Sequence, residues 1–297
     1  MFEWYFQIQA KCRRGYVTIM NENKVLNETV IKAGDIQPLK TYLKDLWHYR
    51  MLLWVFTARD IKVRYSQTIL GLGWIVLSPL ITVGVFTFVF GFMIKIPTDG
   101  LPYLLFYLVA IIPWYAFMAM INLTMGSVEG NAGLVCKIYF PRLLLGGTYT
   151  LSAGVDYLVG FGLIVICATV YDKLNYHLFV LFPLLFAIQA MFAMGLGLML
   201  APFSTRYRDL KLFVPLALQF YYFANPILYP ISASPPWLRF WYEFNPMSMV
   251  ICAYRDGLKG SWPNPEQFVF GFSVAIIVFL VGFNIFRKHE QSLVDAL

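Results

Sequence analysis

The chain has 297 residues, of which 59% are hydrophobic and 13% charged, against about 25% charged in an ordinary soluble domain. That composition points to an integral membrane protein, and since a soluble core stops growing at roughly 250–300 residues, it excludes a large water-soluble catalytic domain beside the apolar segments. The net charge of +7, from 23 Lys and Arg against 16 Asp and Glu, reads here as a topology signal before a nucleic-acid one, so no nucleic-acid partner is expected.

Residues 1–45 are polar and mixed, with strand-like stretches at 16–20 and 24–30, and are expected to form a cytoplasmic N-terminal extension. No cleavable signal peptide is read. For the first fifteen residues three readings stay open: a start-site artefact, a lipid-facing anchor and an accessory strand. Residues 46–69 are more legible. Trp47, Met51, Trp54, Phe56 and Ile61 mix with Arg50, Arg59, Lys62 and Arg64, the pattern of an amphipathic interfacial helix whose cations face anionic membrane lipids. It serves as a lipid anchor or as a platform for a cytoplasmic partner.

A helix needs about 20 apolar residues to cross a hydrocarbon core of about 30 Å. Five stretches supply them: 70–94, 101–125, 143–171, 178–203 and 268–286. A further one, 212–231, contains Pro215, Pro226 and Pro230 and is expected to span with a kink, its freed carbonyls satisfied by neighbours. Six spans put both termini on one side. Eighteen of the 23 Lys and Arg fall on that side, leaving Lys95, Lys173, Arg239, Arg255 and Lys259 on the other, so both termini are expected in the cytoplasm. Between spans five and six, Pro235-Pro236 and Asn245-Pro246 bracket two helical stretches of about 12 and 20 Å, too short to cross. They read as a re-entrant or interfacial hairpin on the outer face, carrying Trp237, Phe240, Trp241, Tyr242, Phe244 and Tyr254. The expected fold class is all-α: a polytopic membrane protein of six transmembrane helices, an N-terminal amphipathic interfacial helix and a short outer-face helical hairpin.

Catalytic signatures are missing. No G-x-x-x-x-G-K-[ST], H-E-x-x-H or G-x-S-x-G occurs. His48, His177 and His289 fall in separate flanks, and Cys12, Cys136, Cys167 and Cys252 have no ligand spacing, so neither a metal site nor a catalytic residue is assigned. Asp156, midway along span three, is the clear intramembrane ionisable group, a functional candidate by default. A proton relay needs further ionisable groups across the bilayer, and spans one, two, four and five offer none. Asp156 is therefore read as structural, pairing inside the bundle with Tyr, Ser or backbone groups.

Projected at 3.6 residues per turn, Pro215, Gln219, Tyr222, Pro226 and Tyr229 make one polar-aromatic stripe on span five. Gly71, Ser78 and Thr82 make a second face on span one, for which plain close packing is the alternative. Two such stripes without an intramembrane charge network suit a conduit for a large polyhydroxylated solute, with energy supplied from elsewhere.

The run Arg59-Asp60-Ile61-Lys62-Val63-Arg64-Tyr65-Ser66-Gln67-Thr68-Ile69-Leu70-Gly71-Leu72-Gly73-Trp74, continued by Leu77-Ser78-Pro79-Leu80, resembles the start of the first span in ABC-2 type permeases that export polysaccharides. These are the membrane subunits of O-antigen, capsule and teichoic-acid exporters. Lys137-Ile138-Tyr139-Phe140-Pro141-Arg142, Tyr207-Arg208-Asp209, Asn225-Pro226-Ile227, Asn245-Pro246-Met247 and Tyr254-Arg255 extend the resemblance from about residue 40 to the C-terminus, making 70–297 the ABC-2 type transmembrane domain. The resemblance implies a homodimer working with two separate ATPase subunits, which would hold ATP and its Mg²⁺, with no cofactor or metal in this chain. It implies a channel lined by spans one and five, with Ser78, Thr82, Gln219, Tyr222, Pro226 and Tyr229 in the wall, and an outer gate with Trp237, Trp241, Asn245 and Pro246. ATPase contact would fall to the amphipathic helix, including Arg59, and to the loop 126–142, including Glu129, Lys137 and Arg142. The implied substrate is a lipid-linked glycan crossing the bacterial inner membrane, with teichoic acid or another lipid-linked polymer as the alternative. A secondary transporter lacks support because the kinks fall in one half only, and a membrane-bound transferase because no catalytic cluster is visible.

Overall fold

The computed structural model describes residues 38–66, 68–135, 140–290 and 293, which are helical without strands. The strand-like stretches of the N-terminal extension, and also Lys137, lie outside the described residues. The amphipathic segment begins earlier than expected and is divided: α1 covers Leu39–His48 and α2 covers Arg50–Ser66. The chain turns at Tyr49, whose N–H caps α1 on Asp45 O. The first long apolar element, α3 (Gly73–Phe86), runs on into a π-helical stretch, Thr87–Met93, so the first span starts three residues later than the sequence suggests. Gly91 sits in that stretch because a Cβ there would meet the Tyr103 ring at 2.9 Å.

Helix α4 (Tyr103–Met125) is the axis of the bundle, with Leu105–Trp114 buried on all sides. Its surroundings explain its nearly uniform apolarity: α3, α6 (Leu143–Val170), α7 (Tyr176–Arg206), α8 (Leu210–Phe223) and α10 (Pro246–Leu258) all pack against it. Gln189 on α7 donates to Pro113 O of α4 at 2.9 Å. The last long helix, α11 (Pro265–His289), lies along α7 in the largest helix–helix contact. Their backbones touch where Gly195 meets Gly282: a Cβ on Gly282 would lie 2.0 Å from Gly195 O. This is the close approach that small residues permit between membrane helices.

Among the described residues, five helices are long and apolar enough to cross a membrane. The stretch 212–231 is not one of them. Helix α8 ends at Phe223 after 14 residues, about 21 Å, because Asn225 precedes Pro226 and is biased away from helical geometry, while Pro226 and Pro230 have no N–H to continue the ladder. The projection that placed Pro226 and Tyr229 on one helical stripe with Gln219 therefore fails beyond Phe223. After a turn at Ile231–Ala233, the two short helices appear where expected, α9 at Pro236–Phe244 and α10 at Pro246–Leu258. They differ in burial. Most of α9 is exposed, whereas α10 is sunk between α4, α7 and α11.

Helices α6 and α7 have 28 and 31 residues, about 42 and 46 Å, longer than a hydrocarbon core of about 30 Å requires. Helix α2 runs beside the first half of α6 in the same direction. Phe56 and Phe140 rings stand 5.7 Å apart edge to face, Thr57 Oγ1 donates to Thr148 O at 3.5 Å, and Arg64 reaches Asp156. The excess length of α6 is thereby covered by the amphipathic helix. Asp156 is midway along α6 by count but level with the end of α2.

Candidate functional site

At the end of α2, Arg64 Nη1 donates to Asp156 Oδ2 at 2.8 Å and Nη2 to Asp60 Oδ2 at 2.5 Å. Ser152 Oγ donates to Asp60 Oδ2 and accepts from Arg64 Nη2 at 3.1 Å. The sequence reading paired Asp156 with Tyr, Ser or backbone groups; the Tyr65 hydroxyl does hydrogen-bond it, and the guanidinium of Arg64 from another helix is the partner that reading did not foresee. Burial works against the Arg64 charge, but Asp60 and Asp156 outweigh it and hold the group above its ordinary pKa. Beside it, burial and then the Asp156 charge push the Tyr65 phenol up to about 12, so it stays a neutral hydroxyl. A cavity of about 210 Å³ adjoins this cluster, lined by Tyr65, Trp74, Ser78, Tyr115, Asp156 and Tyr157 among others. Ser78 is thus the one expected channel residue brought to the ion cluster.

The loop after α4 is strapped to four other elements. Glu129, in the turn Glu129–Asn131, pairs with Lys211 at the start of α8. Asn131 accepts from Arg59 Nη2 at 2.5 Å and donates to Ser127 O and the Tyr149 hydroxyl, both at 2.9 Å. Arg142 donates its backbone N–H to Glu290 Oε1 at 2.7 Å and Nη1 to Glu290 O at 3.1 Å. Burial raises the Glu290 carboxyl, against the pull of the Arg142 N–H and charge. Arg59, Glu129 and Arg142, expected as outward contacts, are each engaged within the chain. Charge spacing in the sequence gave no sign of Lys211 or Glu290 as partners.

Helices α3 and α8 flank α4 and meet over it. The Tyr222 ring lies 5.3 Å from Trp114 and 6.4 Å from Phe86, with its hydroxyl enclosed. Thr82 Oγ1 shares a 2.7 Å hydrogen bond with the Tyr115 hydroxyl. On the outward side, α3 leaves Trp74, Ser78, Ile81, Val85 and Phe88 uncovered, and α8 leaves Leu212, Leu216, Gln219, Phe220 and Phe223. Phe220, on the side of α8 away from Tyr222, is 69% exposed.

Beyond α8 the two Asn-Pro pairs meet. Asn245 caps α10 by accepting from Met247 N–H at 3.0 Å, and also accepts from the Tyr221 hydroxyl at 2.5 Å. Asn225 Oδ1 accepts from Ser248 Oγ at 3.1 Å and from Asn245 Nδ2. Pro226 and Pro246 are buried beside them. Tyr229 donates to Phe223 O at 3.1 Å and accepts from Tyr242 at 3.0 Å. On α9, Trp237 is 73% exposed, and Trp241 borders an apolar cavity of about 470 Å³ shared with α4, α7 and α8.

The sequence profile described as ABC-2 type transporter matches residues 51–259, running from the amphipathic helix through α10. The chain belongs to the ABC-2 type transporter family. This ABC-2 chain is similar to "O-antigen export system permease protein RfbA" of Klebsiella pneumoniae, 27% identical over 247 residues, covering 83% of this chain and 95% of the relative. It is also similar to the protein of that name from Myxococcus xanthus, 23% identical over 258 residues, covering 86% and 98%. A more distant relative, "Polysialic acid transport protein KpsM" of Escherichia coli, is 20% identical over 251 residues, covering 80% and 93%. The ABC-2 match takes in both Asn-Pro pairs and the loop carrying Glu129.

Proposed function

We propose that the chain is the membrane subunit of an ATP-driven exporter that moves a lipid-linked polysaccharide, O-antigen- or capsule-like, across the bacterial inner membrane. Two copies pair around a channel, and two separate ATPase subunits dock on the side of α1, α2 and the Glu129 loop, where both termini lie in the cytoplasm. Counting α8 and its proline turn as the fifth crossing gives six spans, with α9 and α10 at the outer face. The observation that carries the reading is the pair of uncovered faces on α3 and α8, held side by side through Phe86 and Tyr222. Lipid covers an open apolar helix face on its own; what distinguishes these two faces is that they also expose polar side chains, Ser78 and Gln219, which hydrocarbon disfavours and a polar conduit accepts. The names of the relatives supply the substrate class.

In this reading the channel wall carries Ser78, Thr82 and Gln219, and Tyr222 braces it from behind. Glu129, held to Lys211, links the docking loop to the foot of α8. Trp237 and Trp241 sit at the outer interface, where indole rings are favoured. The test is a strain lacking this chain: it is expected to lose surface glycan while lipid-linked glycan accumulates inside, both reversed by the gene in trans. Unchanged surface glycan in that strain would contradict the proposal. Thiol labels define the topology: Ser261→Cys is expected to react from outside the cell and Asp209→Cys only after the membrane is opened.

A further inference from the structure

The cavity of about 210 Å³ at the end of α2 belongs to no function described so far. Its wall combines three partly exposed aromatic rings, Tyr65, Trp74 and Tyr115, with the Ser78 hydroxyl and the Asp156 carboxylate. Asp156 Oδ1 is enclosed and the Tyr65 hydroxyl hydrogen-bonds the carboxylate, while Oδ2 accepts from Arg64 and the side chain as a whole is 23% exposed. A carboxylate has about four lone-pair sites over its two oxygens, so Oδ2 keeps one acceptor site after pairing with Arg64.

Charge narrows the occupant. Asp60 and Asp156 share one guanidinium, Arg64, which leaves the cluster with a net negative charge. A phosphate or pyrophosphate would be repelled there, and Arg64, already held by two carboxylates, has little left to offer an anion. A neutral polyol meets every feature: its hydroxyls donate to the carboxylate and to Ser78, and the C–H face of its ring lies against an aromatic side chain. Size narrows the occupant again. The cavity falls below the roughly 300–1,000 Å³ of pockets for drug-sized ligands, which suits one sugar ring rather than a chain.

We infer that this cavity binds a single uncharged sugar ring of the glycan, at the foot of α3 on the edge of the uncovered face, before the polymer enters the channel. The inference rests on the export reading above. It adds a point of selection: Asp156, Ser78 and the aromatic rings sort neutral sugars from charged groups, and the lipid-linked phosphate stays outside.

The test uses the complete complex with an ATPase subunit unable to hydrolyse ATP, in membranes that contain the cell's own lipid-linked glycan or come from a strain blocked in its synthesis. In a chain freed of its native cysteines, Ser78→Cys and, as a control on α11, Ser273→Cys are labelled with a membrane-permeant maleimide. Labelling at position 78 is expected to slow severalfold when glycan is present, with position 273 unchanged. A second variant, Ala119→Leu, fills the cavity without touching the ion cluster and is expected to lower surface glycan per inserted molecule severalfold. Equal labelling of position 78 with and without glycan, equal slowing at both positions, or normal export by Ala119→Leu would overturn the inference while the wild-type chain still restored surface glycan. Failure of the wild-type chain to restore it would instead remove the export reading itself.

Discussion

Asn245 Nδ2 donates to Asn225 Oδ1 at 3.0 Å, tying the turn that ends α8 to the residue that caps α10. Asn225 completes the tie by donating from Nδ2 to Tyr221 O at 2.6 Å. Both side chains are buried, so the two Asn-Pro pairs form one hydrogen-bonded joint between α8 and the α9–α10 hairpin.

Asn225→Ala is expected to strand Asn245 and Ser248 without acceptors, at about 1–3 kcal/mol for a buried polar group left unpaired. Asn245→Ala loses the same bond and a helix cap of about 1 kcal/mol. Because the residues share a bond, the double variant should cost less than the sum. Thermal unfolding of the purified variants checks this, and strict additivity would mean the joint is not one unit.

Arg64 and Asp156 have side chains 27% and 23% exposed, so their pair is worth less than the roughly 3–5 kcal/mol lost on breaking a fully buried one. Arg64→Gln leaves two carboxylates facing each other and is expected to reduce folded protein clearly. Adding Asp156→Asn should recover much of the loss, since the repulsion then disappears. Abundance of inserted protein in the three variants is the measurement, and no recovery in the double variant would contradict the pairing.

Reversing one charge of the Glu129–Lys211 pair, by Glu129→Lys or Lys211→Glu, is expected to lower export per inserted molecule. Exchanging both restores the attraction and should restore export. ATPase activity of the assembled complex distinguishes lost docking, where hydrolysis falls, from lost transmission, where hydrolysis continues without export. If the exchange fails to rescue, Glu129 acts through the ATPase surface rather than through α8.

Helical projection places Tyr222 on the polar-aromatic stripe, but its ring packs on Trp114 and Phe86 while Phe220 is exposed. Truncating Tyr222 to Ala removes a ring packed on Trp114 and Phe86 and is expected to cost about 2–4 kcal/mol as a core substitution. Phe220→Ala removes an exposed ring and should leave stability within about 0.5 kcal/mol while changing export per molecule. Unfolding midpoints and surface glycan, measured on both, decide which face of α8 meets the channel.

Length and apolarity alone mark the five long helices, because a bilayer imposes a minimum on both. The α9–α10 hairpin is equally legible, since Pro236 and Pro246 start helices too short to cross. The end of α8 is misread for a local reason: the stretch stays apolar to Ile231, and hydropathy does not register that Asn225-Pro226 breaks the helix. The site is less legible. Asp60 and Arg64 stand four residues apart, a spacing that suggests their pair, but Arg64–Asp156, Glu129–Lys211 and Arg142–Glu290 join residues 82 to 148 positions apart. Periodicity carries no information on such pairs. The burial of α10 is hidden for the same reason: its sequence is ordinary, and only its neighbours decide that it sinks into the bundle.

In the proposed export this chain forms the path for a glycan and a separate ATPase drives it. The most direct measurement places the purified chain in lipid vesicles with lipid-linked glycan in the outer leaflet, and follows glycan protected from added glycosidase with time. Protection is expected to rise only when the ATPase subunit and ATP are both present, to stop when Glu129→Lys replaces the wild-type chain, and to be absent with the chain alone. Glycan protected at the same rate without ATPase or ATP, or no protection in a complex that hydrolyses ATP, would contradict the account.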